Sequence, residues 1–473
     1  MPEEKIKTQV AVLGAGPGGY PAAFHAADLG LEVVLIDREA NPGGVCLYRG
    51  CIPSKSILHA AGSIVAAKEA EELGIRFGKP DIDLDRLRSW KEGVVNDLTG
   101  GLGTLTRKRG IRYVRGRGTF VSSNCIQVRS EDGATVAVEY DHAILATGSV
   151  PIRPGFIPES ERIMYSTNAL DLSYLPERML VLGGGYIGLE LGQAYATLGT
   201  SVSVVEMKAS LLPGVEPKLV RFLSQRIGKQ FESVMLKTRV AAVEDAGSEV
   251  KVTFESSDGE RFDDSYSCVL VAVGRQPSTE GLGLENTRVE TDEKGFIRVG
   301  AKRFTTDPSI LVIGDIAGHP LLAHKATHEG RIAAEVLHTG KPVYDPRAIP
   351  AVVFTDPEIA WCGLTEQEAR RAGLDVRVGS FPWAASGRAA TLDRKDGLTT
   401  IIVERDGERV IGMGIVGYGA GELIAEGVLA IEMGAVAEDL ALTIHAHPSL
   451  SETVMEAAEG LVAGATHFFQ RNA

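Results

Sequence analysis

Apolar and polar positions along this chain fall into blocks, and the blocks repeat in a fixed order. Val10 to Leu13 is a short apolar run of the kind that forms a buried strand. A glycine cluster, Gly14-Ala15-Gly16-Pro17-Gly18-Gly19, comes next, and helical spacing of apolar residues then continues to Gly30. A second strand is predicted from Glu32 to Ile36, ending in Asp37. From Cys51 the spacing predicts a helix to about Leu73, with Pro53 suited to its first turn. The strand–glycine–helix–strand order returns 169 positions on, where Gly14, Gly16, Gly19, Gly30 and Asp37 become Gly183, Gly185, Gly188, Gly199 and Glu206. Further apolar strands close at Ala146-Thr147-Gly148, Val273-Gly274-Arg275 and Ile313-Gly314-Asp315.

From about Lys341 the character changes. Pro342, Pro346 and Pro350 mark a linker, after which Val352–Phe354 and Ile401–Val403 read as strands of an antiparallel sheet. Gly421–Gly434 and Ala437–Leu442 read as helices. The expected fold is α/β, with two Rossmann-like dinucleotide-binding domains and a C-terminal α+β dimerisation domain. The expected boundaries are 1–150 and 275–345 for the two parts of the first nucleotide unit, 151–274 for the second, and 346–473 for the last domain.

Composition narrows the function classes. With 473 residues the chain exceeds one ordinary core. A hydrophobic content of 44% with 55 glycines is that of a packed α/β enzyme. A net charge of -13 argues against nucleic acid and anionic membrane as partners. No run of 18 or more residues is apolar and uncharged throughout, so no transmembrane helix is expected. Five cysteines make an odd count for a secreted disulfide framework, and Cys125, Cys268 and Cys362 read as scattered, packed thiols. The expected home is a reducing compartment, the cytoplasm, with a mitochondrial matrix location after presequence removal left open. No metal site is expected.

The glycine loops carry the first chemistry. A Gly-x-Gly-x-x-Gly between strand and helix lets the backbone approach a pyrophosphate at the helix N-terminus. An acidic residue at the end of the next strand accepts from a ribose hydroxyl. Two such units imply two dinucleotides, or a duplication in which only one still binds.

The second chemistry sits in Asn41 to Lys55, which places Cys46 and Cys51 five positions apart. In a regular helix their Cα atoms would stand roughly 8.7 Å apart. A disulfide tolerates at most about 7 Å. A bridge therefore needs a distorted backbone, which Gly50 permits. Cys51 is expected at a helix N-terminus, where the partial positive charge favours a thiolate. Read alone, such a pair also suits two packed thiols. Near the C-terminus, His447 is followed five residues on by Glu452, a carboxylate able to orient an imidazole as general base. His445 reads as a turn residue.

The Gly-Gly before the cysteines, the glycine between them and the Pro-Ser-Lys after closely resemble the redox segment of the flavin-dependent disulfide oxidoreductases. The octapeptide His445–Glu452 matches that group's C-terminal motif, and the similarity runs from Val10 to Glu459. With Phe381-Pro382-Trp383-Ala384-Ala385-Ser386-Gly387-Arg388-Ala389, it is densest towards the dihydrolipoamide dehydrogenases. An NADPH-dependent reductase of the glutathione type is the alternative. A mercuric reductase would need a C-terminal cysteine pair, and the last cysteine here is Cys362.

The resemblance implies FAD and NAD as cofactors. It implies a Cys46–Cys51 disulfide, with Cys46 as the more accessible interchange thiol and Cys51 next to the flavin. Lys55 and Glu190 would stand near the flavin's reactive nitrogen, and Asp315 on its ribityl chain. The helix after Leu322 would pack on the flavin, with His324 structural. Contacts to FAD are expected from Gly14, Gly16, Gly19, Asp37, Gly44, Lys55, Gly118, Thr147, Gly148, Asp315 and Ala323. Contacts to NAD are expected from Gly183, Gly185, Tyr186, Ile187, Gly188, Glu206 and Gly274, with the Tyr186 ring as a lid over the nicotinamide pocket. Cis bonds are expected at Asp356-Pro357 and His447-Pro448. The partners implied are a lipoyl domain of a 2-oxoacid dehydrogenase or glycine cleavage complex, and a second copy of the chain in a homodimer. Sequence alone allows His447 to serve its own chain or its partner's.

Overall fold

A computed structural model describes residues 4–469. The first nucleotide unit is built on parallel pairing of Arg112–Arg115, Val33–Asp37, Glu4–Leu13, Thr135–Leu145 and Ile310–Val312. Two antiparallel strands, Cys125–Arg129 and Arg117–Ser122, extend the sheet on the far side of Thr135–Leu145. The first strand begins six residues before the predicted Val10, because its alternating segment Glu4–Thr8 pairs with Val136–Tyr140. The helix after the glycine loop runs Gly19–Asp28.

The second unit has five parallel strands in the order Ser233–Leu236, Ser201–Glu206, Arg178–Leu182, Cys268–Val271 and Ile163–Tyr165. The repeat seen in the sequence is a repeat of register. Val10 pairs with Val33 in the first sheet, and Met179 pairs with Val202 in the second. Ser149–Pro151 and Arg275–Pro277 form a two-stranded ribbon where the chain enters and leaves this unit.

The C-terminal segment has its own five-stranded antiparallel sheet, ordered Ala351–Val353, Glu358–Gly363, Val410–Gly417, Leu398–Glu404 and Val376–Pro382. Helices Ala420–Met433, Ala437–Leu442 and Glu452–Val462 accompany it. The strand predicted to include Phe354 stops at Val353, because the Phe354 amide is drawn to a side chain outside the ladder. One buried cluster joins all three parts. It contains Ile57 from the cysteine helix, Leu189 and Val204 from the second unit, and Val353, Ile359 and Val416 from the C-terminal sheet.

The cysteine helix, Cys51–Glu69, is shorter than predicted. Its end is closed by turns at Ala70–Gly74, with Gly74 at φ +82° and the Ile75 amide returning to Ala70. Asp356-Pro357 and His447-Pro448 are both cis, and so is His319-Pro320, which no sequence feature had singled out.

Candidate active site

The two cysteines are separated by a helix break. Cys46 lies in the short helix Gly44–Arg49, and Cys51 opens the helix Cys51–Glu69. Gly50 between them sits at φ -145° and ψ -115°. A Cβ there would stand 2.8 Å from the Val45 carbonyl oxygen, so the close approach of the two helix ends needs glycine. Both cysteines are thiols in this structure, and their sulfurs share a hydrogen bond.

That bond polarises the pair. Serving as donor to Cys51, together with burial, pushes the Cys46 thiol well up. Accepting from Cys46 is the largest influence on Cys51; Lys55 adds to it, burial and Glu190 oppose it, and the outcome is lowered to about 7. In the single chain Cys46 is half-buried and Cys51 exposed, and both face the cavity.

This cavity brings together most of the residues expected at the flavin. Gly14, Gly16, Asp37, Gly44, Gly118, Thr147, Gly148, Asp315 and Ala323 all line it. Cys46, Cys51, Lys55, Tyr186, Ile187 and Glu190 line it as well. Lys55 Nζ stands 2.8 Å from Glu190 Oε2, and Glu190 is 3% exposed. Asp315 accepts from Ser149 Oγ at 2.6 Å, and Arg275 donates to that hydroxyl at 2.7 Å. Gly314, the neighbour of Asp315, donates its amide to the buried Glu329, which also meets Arg303 and Lys325. Lys325 and Glu329 stand four positions apart on the helix after Leu322, and Arg303 joins them from outside it. His324 stays outside the chemistry, with its Nε2 2.6 Å from the Pro350 carbonyl oxygen.

The two acidic strand ends are held alike. Asp37 accepts from the Ala15 amide at 2.6 Å and the Glu39 amide at 3.0 Å. Glu206 accepts from the Gly184 amide at 2.9 Å and the Lys208 amide at 2.7 Å. Every one of these pairs is related by the 169-residue offset. The loop glycines match too. Gly14 and Gly183 have φ +98° and +111°, and a Cβ on either would strike the carbonyl of the next strand's end, Ala146 or Ala272. Gly19 and Gly188 lie against Gly14 and Gly183 in turn, while a Cβ on Gly185 would meet nothing within 4 Å and one on Gly16 would touch only the Gly44 Cα at 3.8 Å. Both cradles therefore fit a dinucleotide pyrophosphate, and the first continues into the cavity that fits FAD. Gly274 lies just beyond the strand Cys268–Val271, at φ +126°.

His447 and Glu452 are paired, but they are not among the residues lining the cysteine cavity. The His447 side chain is 76% exposed. His445 lies between the helices Ala437–Leu442 and Glu452–Val462. Its Nε2 lies 2.8 Å from Glu426 Oε1 and its Nδ1 2.8 Å from the Thr443 carbonyl oxygen, so the ring is fixed at both nitrogens. Among the described residues no group of three or more His, Cys, Asp or Glu could hold a metal ion, and no helix is long and apolar enough to cross a membrane.

A dithiol beside two dinucleotide cradles defines a flavin-linked disulfide oxidoreductase. The chain belongs to the pyridine nucleotide-disulphide oxidoreductase family, whose sequence pattern matches residues 8–330, with the family's dimerisation domain at 349–458. It is similar to the dihydrolipoyl dehydrogenase of Vibrio cholerae, 49% identical over 96% of both chains. It is also similar to that of Geobacillus stearothermophilus, at 43% identity over 96% of both. Among solved structures, LpdA from Mycobacterium tuberculosis superposes with a TM-score of 0.88 at 30% identity, covering 96% of this chain and 100% of the other. RclA, a flavoprotein disulfide reductase of Escherichia coli, superposes with a TM-score of 0.86 at 27% identity, covering 96% and 99%. The relatives support dihydrolipoyl dehydrogenase chemistry over the glutathione reductase type, with FAD and NAD(H) as cofactors. The dimerisation domain supports a homodimer.

Proposed function

We propose that the chain oxidises dihydrolipoamide carried on the lipoyl domain of a separate protein, in the cytoplasm, with a base supplied by the second subunit. The observation that carries this reading is the hydrogen-bonded Cys46–Cys51 pair in one cavity with Lys55, Glu190 and the first dinucleotide cradle.

In the oxidised enzyme Cys46 and Cys51 form the disulfide. His447, with Nδ1 turned to Glu452, keeps Nε2 free to take a proton from a substrate thiol. The thiolate attacks Cys46 Sγ and Cys51 leaves as the thiolate. Exposure does not decide this direction; leaving-group strength does, because the sulfur with the lower pKa departs faster. The second substrate thiol then displaces Cys46, releasing lipoamide and leaving a dithiol in the chain. The first cradle and its cavity would hold FAD and the second cradle NAD, which together would supply the acceptor for the dithiol's electron pair. Lys55 stabilises the Cys51 thiolate, Asp37 and Glu206 bind ribose hydroxyls, and Tyr186 covers the nicotinamide side.

Sharing between subunits is supported by the separation of His447 from the cysteine cavity. In the same C-terminal segment Ile444 is 96% exposed, Leu442 74% and Met433 76%, exposed apolar side chains that a second copy could cover. The test is an assay of purified protein with dihydrolipoamide and NAD against glutathione disulfide and NADPH. Turnover with the first pair alone is expected. Faster turnover with the second would overturn the reading.

A further inference from the structure

The Lys55–Glu190 pair is completed by the C-terminal segment. Glu190 divides its two oxygens: Oε2 takes Lys55 Nζ at 2.8 Å, and Oε1 takes the Phe354 amide at 3.0 Å. The Phe354 ring lies under the same ammonium, with Nζ 4.5 Å from its centroid. Gln193, one turn along the helix Tyr186–Leu198, grips the next residues. Its Oε1 accepts from the Asp356 amide at 2.8 Å and its Nε2 donates to the Asp356 carbonyl at 2.9 Å. Glu190 and Gln193 are 3% and 4% exposed, so the helix has a buried polar face used to hold residues 354–356.

We infer that Phe354 is a positioning residue for the redox pair: its ring fixes the Lys55 ammonium beside Cys51, while its amide fixes the carboxylate that Lys55 pairs with. The inference rests on the reading of Cys51 as the thiolate-forming sulfur. A lysine on four rotatable bonds pays entropy to stay in one place, and a single carboxylate leaves it free to swing. An aromatic face attracts the cation without neutralising its field as a second carboxylate would. The arrangement suits a group whose task is to present positive charge to a sulfur. It also makes thiolate stabilisation depend on the dimerisation segment being docked, since Phe354 belongs to that segment.

The experiment uses full-length, FAD-loaded protein reduced with dihydrolipoamide, and follows alkylation of Cys51 by residue-resolved mass spectrometry across pH. Phe354→Leu and Phe354→Met remove the ring and leave the backbone amide; Phe354→Tyr restores the ring. With the ring gone, the thiolate loses part of its neighbouring cation. Cys51 alkylation at pH 7 is then expected to fall about threefold to tenfold, its midpoint to move to higher pH, and kcat to fall with the KM for NAD unchanged. Phe354→Tyr should titrate as wild type. A leucine or methionine variant with normal flavin content and the wild-type titration would overturn the inference. So would loss of folding in both, which would give the ring a role beyond Lys55. Wild-type Cys51 reacting only in the ordinary thiol range would instead contradict the relay itself.

Discussion

His447 Nδ1 lies 2.9 Å from Glu452 Oε1, and the other carboxylate oxygen accepts the Ser449 amide at 2.7 Å. Burial alone would raise the Glu452 carboxyl, but the Ser449 amide and His447 outweigh it and hold it below the usual carboxylate range. Being depressed in the folded chain, it keeps its charge to lower pH than a free carboxylate does. Glu452→Gln is expected to lower kcat/KM for dihydrolipoamide at least about tenfold, within the range general-base catalysis contributes. NADH oxidation by an artificial dye, which needs no substrate-thiol base, should be preserved. A glutamine variant matching wild type in both assays would remove Glu452 from the mechanism.

The redox pair makes a second, signed prediction. Cys51 is lowered to about 7, chiefly by the hydrogen bond from Cys46 and then, against burial, by Lys55, while Glu190 raises it. The thiolate is therefore the main form above that pH and the thiol below it. Lys55→Met should move the Cys51 alkylation midpoint to higher pH, and Glu190→Gln to lower pH. Shifts in the same direction for both variants would contradict the assignment.

Coenzyme choice follows from Glu206. Its carboxylate is fixed between the Gly184 and Lys208 amides, as Asp37 is between Ala15 and Glu39. An ionised acceptor at that place binds a ribose 2′-hydroxyl and repels a 2′-phosphate. The enzyme should prefer NADH to NADPH in steady-state kinetics, and Glu206→Gln should narrow the preference by weakening the repulsion. An NADPH preference in the wild type would refute the role.

The two nucleotide units were legible because their signals are local. Strand, glycine turn, helix and acidic strand end occur within about two dozen residues, and the 169-residue offset shows the copy. The Gly50 break was legible once the resemblance implied a bridge, since an unbroken helix keeps Cys46 and Cys51 too far apart for one. Long-range contacts carry no such signal. The Phe354 amide bonding Glu190, the ring beneath Lys55 and the Gln193 clamp on Asp356 join residues more than a hundred positions apart. The Phe354 amide also explains the misplaced strand end, because no periodicity announces that an amide will leave its ladder. The His445–Glu426 pair was not legible because it joins a loop residue to the helix Ala420–Met433.

In the proposed relay, electrons enter at Cys46 with the help of a base from the second subunit. Mixing a Cys46→Ser chain with a His447→Gln chain, under conditions that allow subunit exchange, tests it directly. In a mixed dimer with shared sites, one site carries both lesions and the other carries neither. Dihydrolipoamide–NAD activity should return to about half of wild type per mixed dimer, from two parents that have little or none. If His447 serves its own chain, every site in the mixture keeps one lesion, and activity will stay at the level of the parents.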